Sequence, residues 1–250
     1  KDFDALFLVN PNNPTGKNLS ETEFKAIVSW CQQNKKVLFL DNTFRFFVPL
    51  SFDTYSILID SGVTFISLED TGKVWPTQEI KASLLFFSTN IQREMHLIYD
   101  EIYLCVSNFQ LELLKHFFWD TTHRGLPQAV WHQVAERRAM FREVIQGTIF
   151  EINPVSVESK ISVEWVKIKD SVLSDDEALQ RLKARGLVVL PGRNFFWNST
   201  GVNSQRDCLR FSLLKPTEQF HKGLEILRQF LASACDAPYG QVSLRSCSLV

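Results

Sequence analysis

Through the first ninety positions, apolar residues gather in short unbroken runs. Ala5-Leu6-Phe7-Leu8-Val9 comes first, and residues 37–40, 63–68 and 82–87 follow. Runs of this kind predict strands buried on both faces, as in a parallel sheet. After the first run, Asn10-Pro11-Asn12-Asn13-Pro14-Thr15-Gly16 is a dense turn signal. Ser20-x-x-Glu23 is a capping box that opens a helix to about Gln33, with Ile27, Trp30 and Cys31 as its apolar face. Strands that alternate with a helix and long connections predict an α/β layer with a parallel or mixed sheet.

The second half changes character. Residues 90–106 and 109–119 read as helices with a break at Ser107-Asn108. Residues 128–145 form a long helix after Pro127, with Val130, Val134, Met140 and Phe141 among charges and Arg137, Arg138 and Arg142 on a solvated face. Residues 162–168, 187–190 and 208–214 read as strands, and residues 175–185 and 216–231 as helices. Pro216 starts the last of these, where its missing N–H does no harm. The expected division is residues 1–127, a small α+β domain over 128–236, and a tail over 237–250.

Composition narrows the classes. The 250 residues carry 27 Lys and Arg against 28 Asp and Glu, a net charge of −1. That balance argues against a nucleic-acid binder, which needs clustered positive charge. The ordinary charged share of 22% excludes a disordered acidic or basic tail protein. No apolar run approaches the roughly 18–20 residues that span a bilayer, so no membrane partner is expected. The cysteines at 31, 105, 208, 235 and 247 form no CxxC spacing, which predicts reduced thiols in a cytoplasmic protein. The histidines at 96, 116, 123, 132 and 221 are scattered, so no metal site is expected. The chain opens on Lys1 with no charged and apolar leader, almost directly in a strand. A buried parallel strand needs neighbours, which leads one to expect a fragment lacking an earlier part.

Three chemical groups follow the strands in order. Asn13-Pro14-Thr15-Gly16 follows the first run, Asp41 ends the second, and Gly72-Lys73 follows the third in Glu69-Asp70-Thr71-Gly72-Lys73-Val74-Trp75-Pro76. In an open α/β sheet the loops beyond the strand C-termini line the ligand crevice. An amide, a carboxylate and an amine on one rim suit pyridoxal phosphate. The lysine condenses with its aldehyde, and a carboxylate beside the ring nitrogen keeps the ring an electron acceptor. Arg210, in Leu209-Arg210-Phe211-Ser212, offers a forked grip for a substrate carboxylate. Each group also has a plainer reading: a loop lysine, a cap, a turn former, an internal ion pair.

With these residues the chain resembles the class I/II aminotransferase family of fold-type I pyridoxal phosphate enzymes. The matching features are Asn-Pro-x-Gly at 13–16, Asp41, Gly72-Lys73, Pro191-Gly192-x-x-Phe195 and Arg210, across about residues 3–232. The resemblance implies a three-layer large domain with a mostly parallel sheet, present here as its C-terminal part over 1–127, and the small domain over 128–236. It implies Lys73 as the Schiff-base lysine, Asp41 as the pyridine-nitrogen partner and Asn13 as the O3′ partner. Lys81 falls where a phosphate-binding arginine often stands, and Arg210 at the substrate-carboxylate arginine. Trp75 borders the substrate pocket on this reading. It further implies a free amino acid and a keto acid as substrates and, for the full-length protein, a homodimer.

The sequence departs from the family at two positions and lacks its earlier segment. The family usually has Tyr where Phe44 stands, and a phenyl ring cannot donate to O3′. Asp70 occupies a position that usually holds a serine on the phosphate, where a second anion is repelled. The segment that holds the family's phosphate-binding amides and stacking ring would precede Lys1, which implies weak or no cofactor binding by the chain as given. The readings left open are an aminotransferase, an oxidase, hydroxylase or lyase on the same cofactor, and a non-catalytic sensor domain or fragment.

Overall fold

The computed structural model describes residues 3–77, 79–80, 82–103, 105–169, 173–196 and 207–235. It is a mixed α/β structure whose first sheet is mainly parallel. Strands β1 (Ala5–Val9), β2 (Val37–Asp41), β3 (Phe65–Asp70) and β4 (Ser83–Phe87) pair in that order. The first three are parallel and β4 returns antiparallel to β3. Helices α1 (Glu21–Gln33) and α2 (Thr54–Ser61) make the two crossovers.

The capping box at Ser20 is present as expected. Ser20 Oγ accepts the Glu23 N–H at 3.3 Å, and the Glu23 carboxylate accepts the Ser20 N–H at 2.9 Å. The buried stripe of α1 is Phe24, Val28 and Cys31, spaced four and three residues apart. Trp30 lies outside it, 41% exposed and stacked on Phe3. The stripe packs with Leu38, Leu40, Leu58, Val63 and Phe65 into the core under one face of the sheet, each such side chain contributing about 1.5–3 kcal/mol on burial. Helix α2 was not visible in the sequence. It has eight residues, rich in aromatic and β-branched types, and is set by Asp53, whose Oδ1 accepts the N–H groups of Tyr55 and Ser56 at 3.0 and 3.1 Å.

Strand β1 corrects one expectation. It pairs only with β2 among the described residues, and Phe7 is 63% exposed on the face opposite α1 and α2. The run is continuous in sequence but is not buried on both faces. Leu68 and Leu85 lie in register on that same face and are also exposed.

Helices α3 (Gln92–Ile102) and α4 (Asn108–Leu126) are separated close to the expected break. Pro127 does not begin a fresh helix. The chain bends at Gly125, which takes a φ of 77°, passes through one π turn at Pro127–Trp131 and continues into α5 (His132–Ile145). Arg137 and Arg138 of α5 are not on a solvated face. Arg137 is buried and donates to the Leu213 carbonyl at 2.9 Å, and Arg138 pairs with the fully buried Glu164. Burial holds the Arg137 guanidinium below its usual value.

The remaining elements are β5 (Phe150–Ile152), β6 (Val163–Ile168), α6 (Asp175–Ala184), β7 (Leu190–Pro191), β8 (Cys208–Ser212) and α7 (Thr217–Cys235). Their strands run in the order β5-β6-β8-β7. The expected strand over 187–190 shrinks to the two residues of β7, and β5 was too short to register as a run. Phe150 stacks on Phe230 of α7, with ring centroids 5.9 Å apart. By contacts the chain forms two compact units. One comprises Lys1–Ala139, Asn153–Trp165 and Phe211–Leu214, and the other Met140–Ile152, Val166–Arg210 and Lys215–Val250.

Candidate active site

In the first unit β1 and β2 end in register, and β3 runs two residues further, to Asp70. Val9 pairs with Asp41, and Asp41 with Leu68. The ladder continues past the strands: Asn10 N–H donates to the Asp41 carbonyl at 3.0 Å, and Asn42 N–H to that of Leu68 at 2.8 Å. Three loops therefore leave one rim together. Alternation along the strands sets Asp41, Leu68 and Asp70 on the exposed face of the sheet.

The first loop is held by its own polar groups. Asn12 accepts the Gly16 N–H at 2.7 Å and the Thr15 hydroxyl at 2.8 Å. The Oδ1 of Asn13 is buried with no hydrogen-bond partner among the described residues. Gly16 has a φ of 71°, and a Cβ there would lie 2.0 Å from Ser159 Oγ, so the position excludes a side chain. Beside this loop a cavity of about 370 Å³ is lined by Gly16, Lys17, Val48, Val155 and Ser159, among others.

On the second loop, Asp41 Oδ1 accepts the Thr43 N–H at 3.0 Å. Phe44 turns away into the core against Phe47. On the third, Asp70 Oδ1 accepts the Gly72 N–H at 2.8 Å and caps the tight turn Thr71–Lys73. Lys73 thus rides on a turn fixed by the acid three residues before it. Trp75 is buried in an aromatic group, edge-on to Phe118 at 4.8 Å, and its indole N–H donates to Thr121 at 2.9 Å.

The structure therefore brings the loops of Asn13, Asp41, Asp70 and Lys73 to one rim. Phe44 and Trp75 pack behind it. Lys81 lies outside the described residues. Arg210 belongs to the second unit. There it is largely buried, its Nε has no partner among the described residues, and its guanidinium lies 5.5 Å from the Phe195 ring centroid. Burial pulls it below the usual arginine value. Phe195 ends a turn that begins at Gly192. Arg193 in that turn is tied to Asp175 and Asp176 of α6, at 3.4 and 2.6 Å. Burial raises the Asp175 carboxyl and the Arg193 charge partly offsets it.

Sequence reasoning missed a polar group on the helix-covered face of the sheet. Glu69 is 3% exposed and pairs with Arg45. Tyr55 donates to Glu69 at 2.8 Å and lies 3.1 Å from Ser67 Oγ. The Asn42 amide donates to the same hydroxyl at 2.9 Å. Burial, the largest cause, pushes the Tyr55 phenol up to about 12. The available signal was an acid at an inward position of β3, two residues after Ser67.

Residues 1–73 match the family described as Aminotransferase class I and II. Valine–pyruvate aminotransferase of Escherichia coli (strain K12) is 32% identical over 76 residues, which is 28% of this chain and 17% of that protein. Among solved structures, MppP soaked with the product 2-ketoarginine superposes with a TM-score of 0.82 at 32% identity, over 91% of this chain and 63% of that one. Aspartate aminotransferase from Thermus thermophilus with maleate gives 0.71 at 16% identity, over 91% and 57%. Valine–pyruvate aminotransferase AvtA from Salmonella typhimurium LT2 gives 0.68 at 16%, over 93% and 60%. The chain thus spans less than two thirds of the length of each of these relatives. No helix among the described residues is long and apolar enough to cross a membrane. Over residues 1–73 the chain is thus similar in sequence to the class I and II aminotransferases, and over 91% of its length it is similar in fold to MppP.

Proposed function

We propose that the protein is a pyridoxal phosphate-dependent aminotransferase acting on a free amino acid, with a keto acid as acceptor. The observation that supports this reading is the register of β1, β2 and β3, which brings the loops carrying Asn13, Asp41 and Lys73 to one rim. The residue types suit the cofactor: the Asn13 carboxamide has an N–H to donate to the ring oxygen, and Asp41, whose Oδ1 takes the Thr43 N–H, has a second carboxylate oxygen for the ring N–H. Bound there, the cofactor supplies an electron sink for the substrate α-carbon.

Each residue has a defined task on this reading. Lys73 provides the amine for the cofactor aldehyde, and later accepts and returns the substrate α-proton as general base and acid. Asp41 holds a proton on the ring nitrogen. Asn13 turns its carboxamide to the ring oxygen. Lys81 stands for the phosphate cation. Asp70 serves through the turn it caps, which presents Lys73. Phe44 and Trp75 exclude water behind the ring. Arg210 orients the substrate carboxylate, and a buried guanidinium with an unused N–H is suited to a bidentate partner.

Within this reading residues 1–127 serve the cofactor, residues 128–236 form the small domain, and the full-length protein is a cytoplasmic homodimer. Sedimentation of the full-length protein checks the last point. The product named for MppP, 2-ketoarginine, is the keto acid left when arginine loses its amino group, so arginine belongs with valine, alanine and aspartate among the first substrates to assay.

The deciding experiment is the visible spectrum of full-length protein with pyridoxal phosphate, before and after borohydride reduction, compared with Lys73→Ala. A reducible adduct in the parent that disappears in the variant is expected. An adduct retained by Lys73→Ala overturns the assignment of Lys73, and no adduct in the parent overturns the cofactor reading.

A further inference from the structure

Behind the rim, on the face covered by α1 and α2, lies the group of side chains built around Glu69. Ser67 and Glu69 alternate with Leu68 and Asp70 along β3 and share the inward side with Leu40. The Glu69 carboxylate receives the Arg45 guanidinium and the Tyr55 hydroxyl. Arg45 lies over the Tyr55 ring, 5.0 Å from its centroid, and Tyr55 packs on Phe86 at 4.7 Å. A carboxylate this deep requires its cation, and a guanidinium on an aromatic face is not replaceable by a more mobile charge.

Two members adjoin residues of the rim in sequence. Asn42 follows Asp41, and Arg45 is four residues beyond it. Glu69 immediately precedes Asp70, whose carboxylate caps the turn that bears Lys73. The ion pair therefore joins the loop after β2 to the end of β3 from the side away from the exposed face. We propose that Arg45 and Glu69 are a positioning pair: by locking these two segments together they set the carboxylate of Asp41 relative to the amine of Lys73. The inference rests on the reading of Asp41 and Lys73 as cofactor partners. A pair that only held the core together would lower the melting temperature and leave the lysine's chemistry alone. A positioning pair changes that chemistry.

Glu69→Gln keeps the shape and the acceptor for Tyr55 but removes the charge, and Arg45→Lys keeps a charge without the fork. Two measurements serve: backbone amide exchange of the cofactor-free chain, and the pH midpoint of the visible adduct in the full-length protein. In Glu69→Gln, exchange is expected to rise about tenfold or more in both 42–45 and 70–74, and the midpoint to move by about half a unit or more. Arg45→Lys is expected to give smaller changes in both. Should Glu69→Gln not fold, Tyr55→Phe removes a single bond to Glu69 and is expected to give smaller changes of the same kind. Faster exchange confined to one of the two segments, or an unmoved midpoint beside a lowered melting temperature, overturns the proposal. If the parent forms no adduct, the cofactor reading fails separately, and uncoupled exchange in the cofactor-free chain still refutes the coupling of the two segments.

Discussion

Arg210 is the residue whose burial most constrains its use. Its Nε has no partner among the described residues and its guanidinium lies 5.5 Å from the Phe195 ring centroid, which on the proposed reading suits it to a planar anion. Arg210→Lys in the full-length protein is expected to raise KM for the amino acid about 10–100-fold, with a smaller change in kcat, as read by steady-state kinetics. Tyr55 offers a pH test. Its folded value is raised to about 12 from the ordinary 10, so its contribution to stability is complete below pH 10 and is lost as pH climbs through 12. Thermal melts between pH 9 and 12 are expected to show a steeper fall for the parent than for Tyr55→Phe. Gly16 tests the close approach of its loop to Ser159. Gly16→Ala meets both a positive φ and a 2.0 Å contact, and is expected to cost about 1–3 kcal/mol in denaturant melts.

At the level of elements, sequence signals that depend on near neighbours were the readable ones. The capping box of α1 is where the pattern put it, and Ser20→Ala is expected to lower stability by about 1 kcal/mol, measured by urea unfolding. The order Asn13, Asp41, Lys73 was also legible, because each ends or closely follows a strand and parallel strands bring such ends together. What could not be read depends on partners distant in the chain. A continuous apolar run does not say whether a second strand lies on its far side, so β1 looked buried when Phe7 is exposed. Arg137 looked solvated because its acceptor, the Leu213 carbonyl, is 76 residues away. Helix α2 was hidden by residues that favour strands, and only the Asp53 cap reveals it. The role of Asp70 was visible as a conflict with a phosphate but not as a cap, since that depends on the tight turn that follows.

At the scale of the molecule, apolar surface is distributed unevenly. Helix α3 has no buried residue, and Leu97, Ile98 and Ile102 are exposed along it. Replacing these three with glutamine is expected to leave the melting temperature within about 2–4 °C, as scanning calorimetry would show, since exposed positions contribute little to the fold. The interleaving of the two units along the chain has a consequence for biosynthesis. The first unit takes in Asn153–Trp165 and Phe211–Leu214 as well as Lys1–Ala139, and Arg137 waits for the carbonyl of Leu213. On the ribosome, then, residues 1–139 are made before the two later segments that complete their unit. The parallel strands must remain guarded from aggregation, by chaperones or by slow translation, until residue 214 has cleared the exit tunnel.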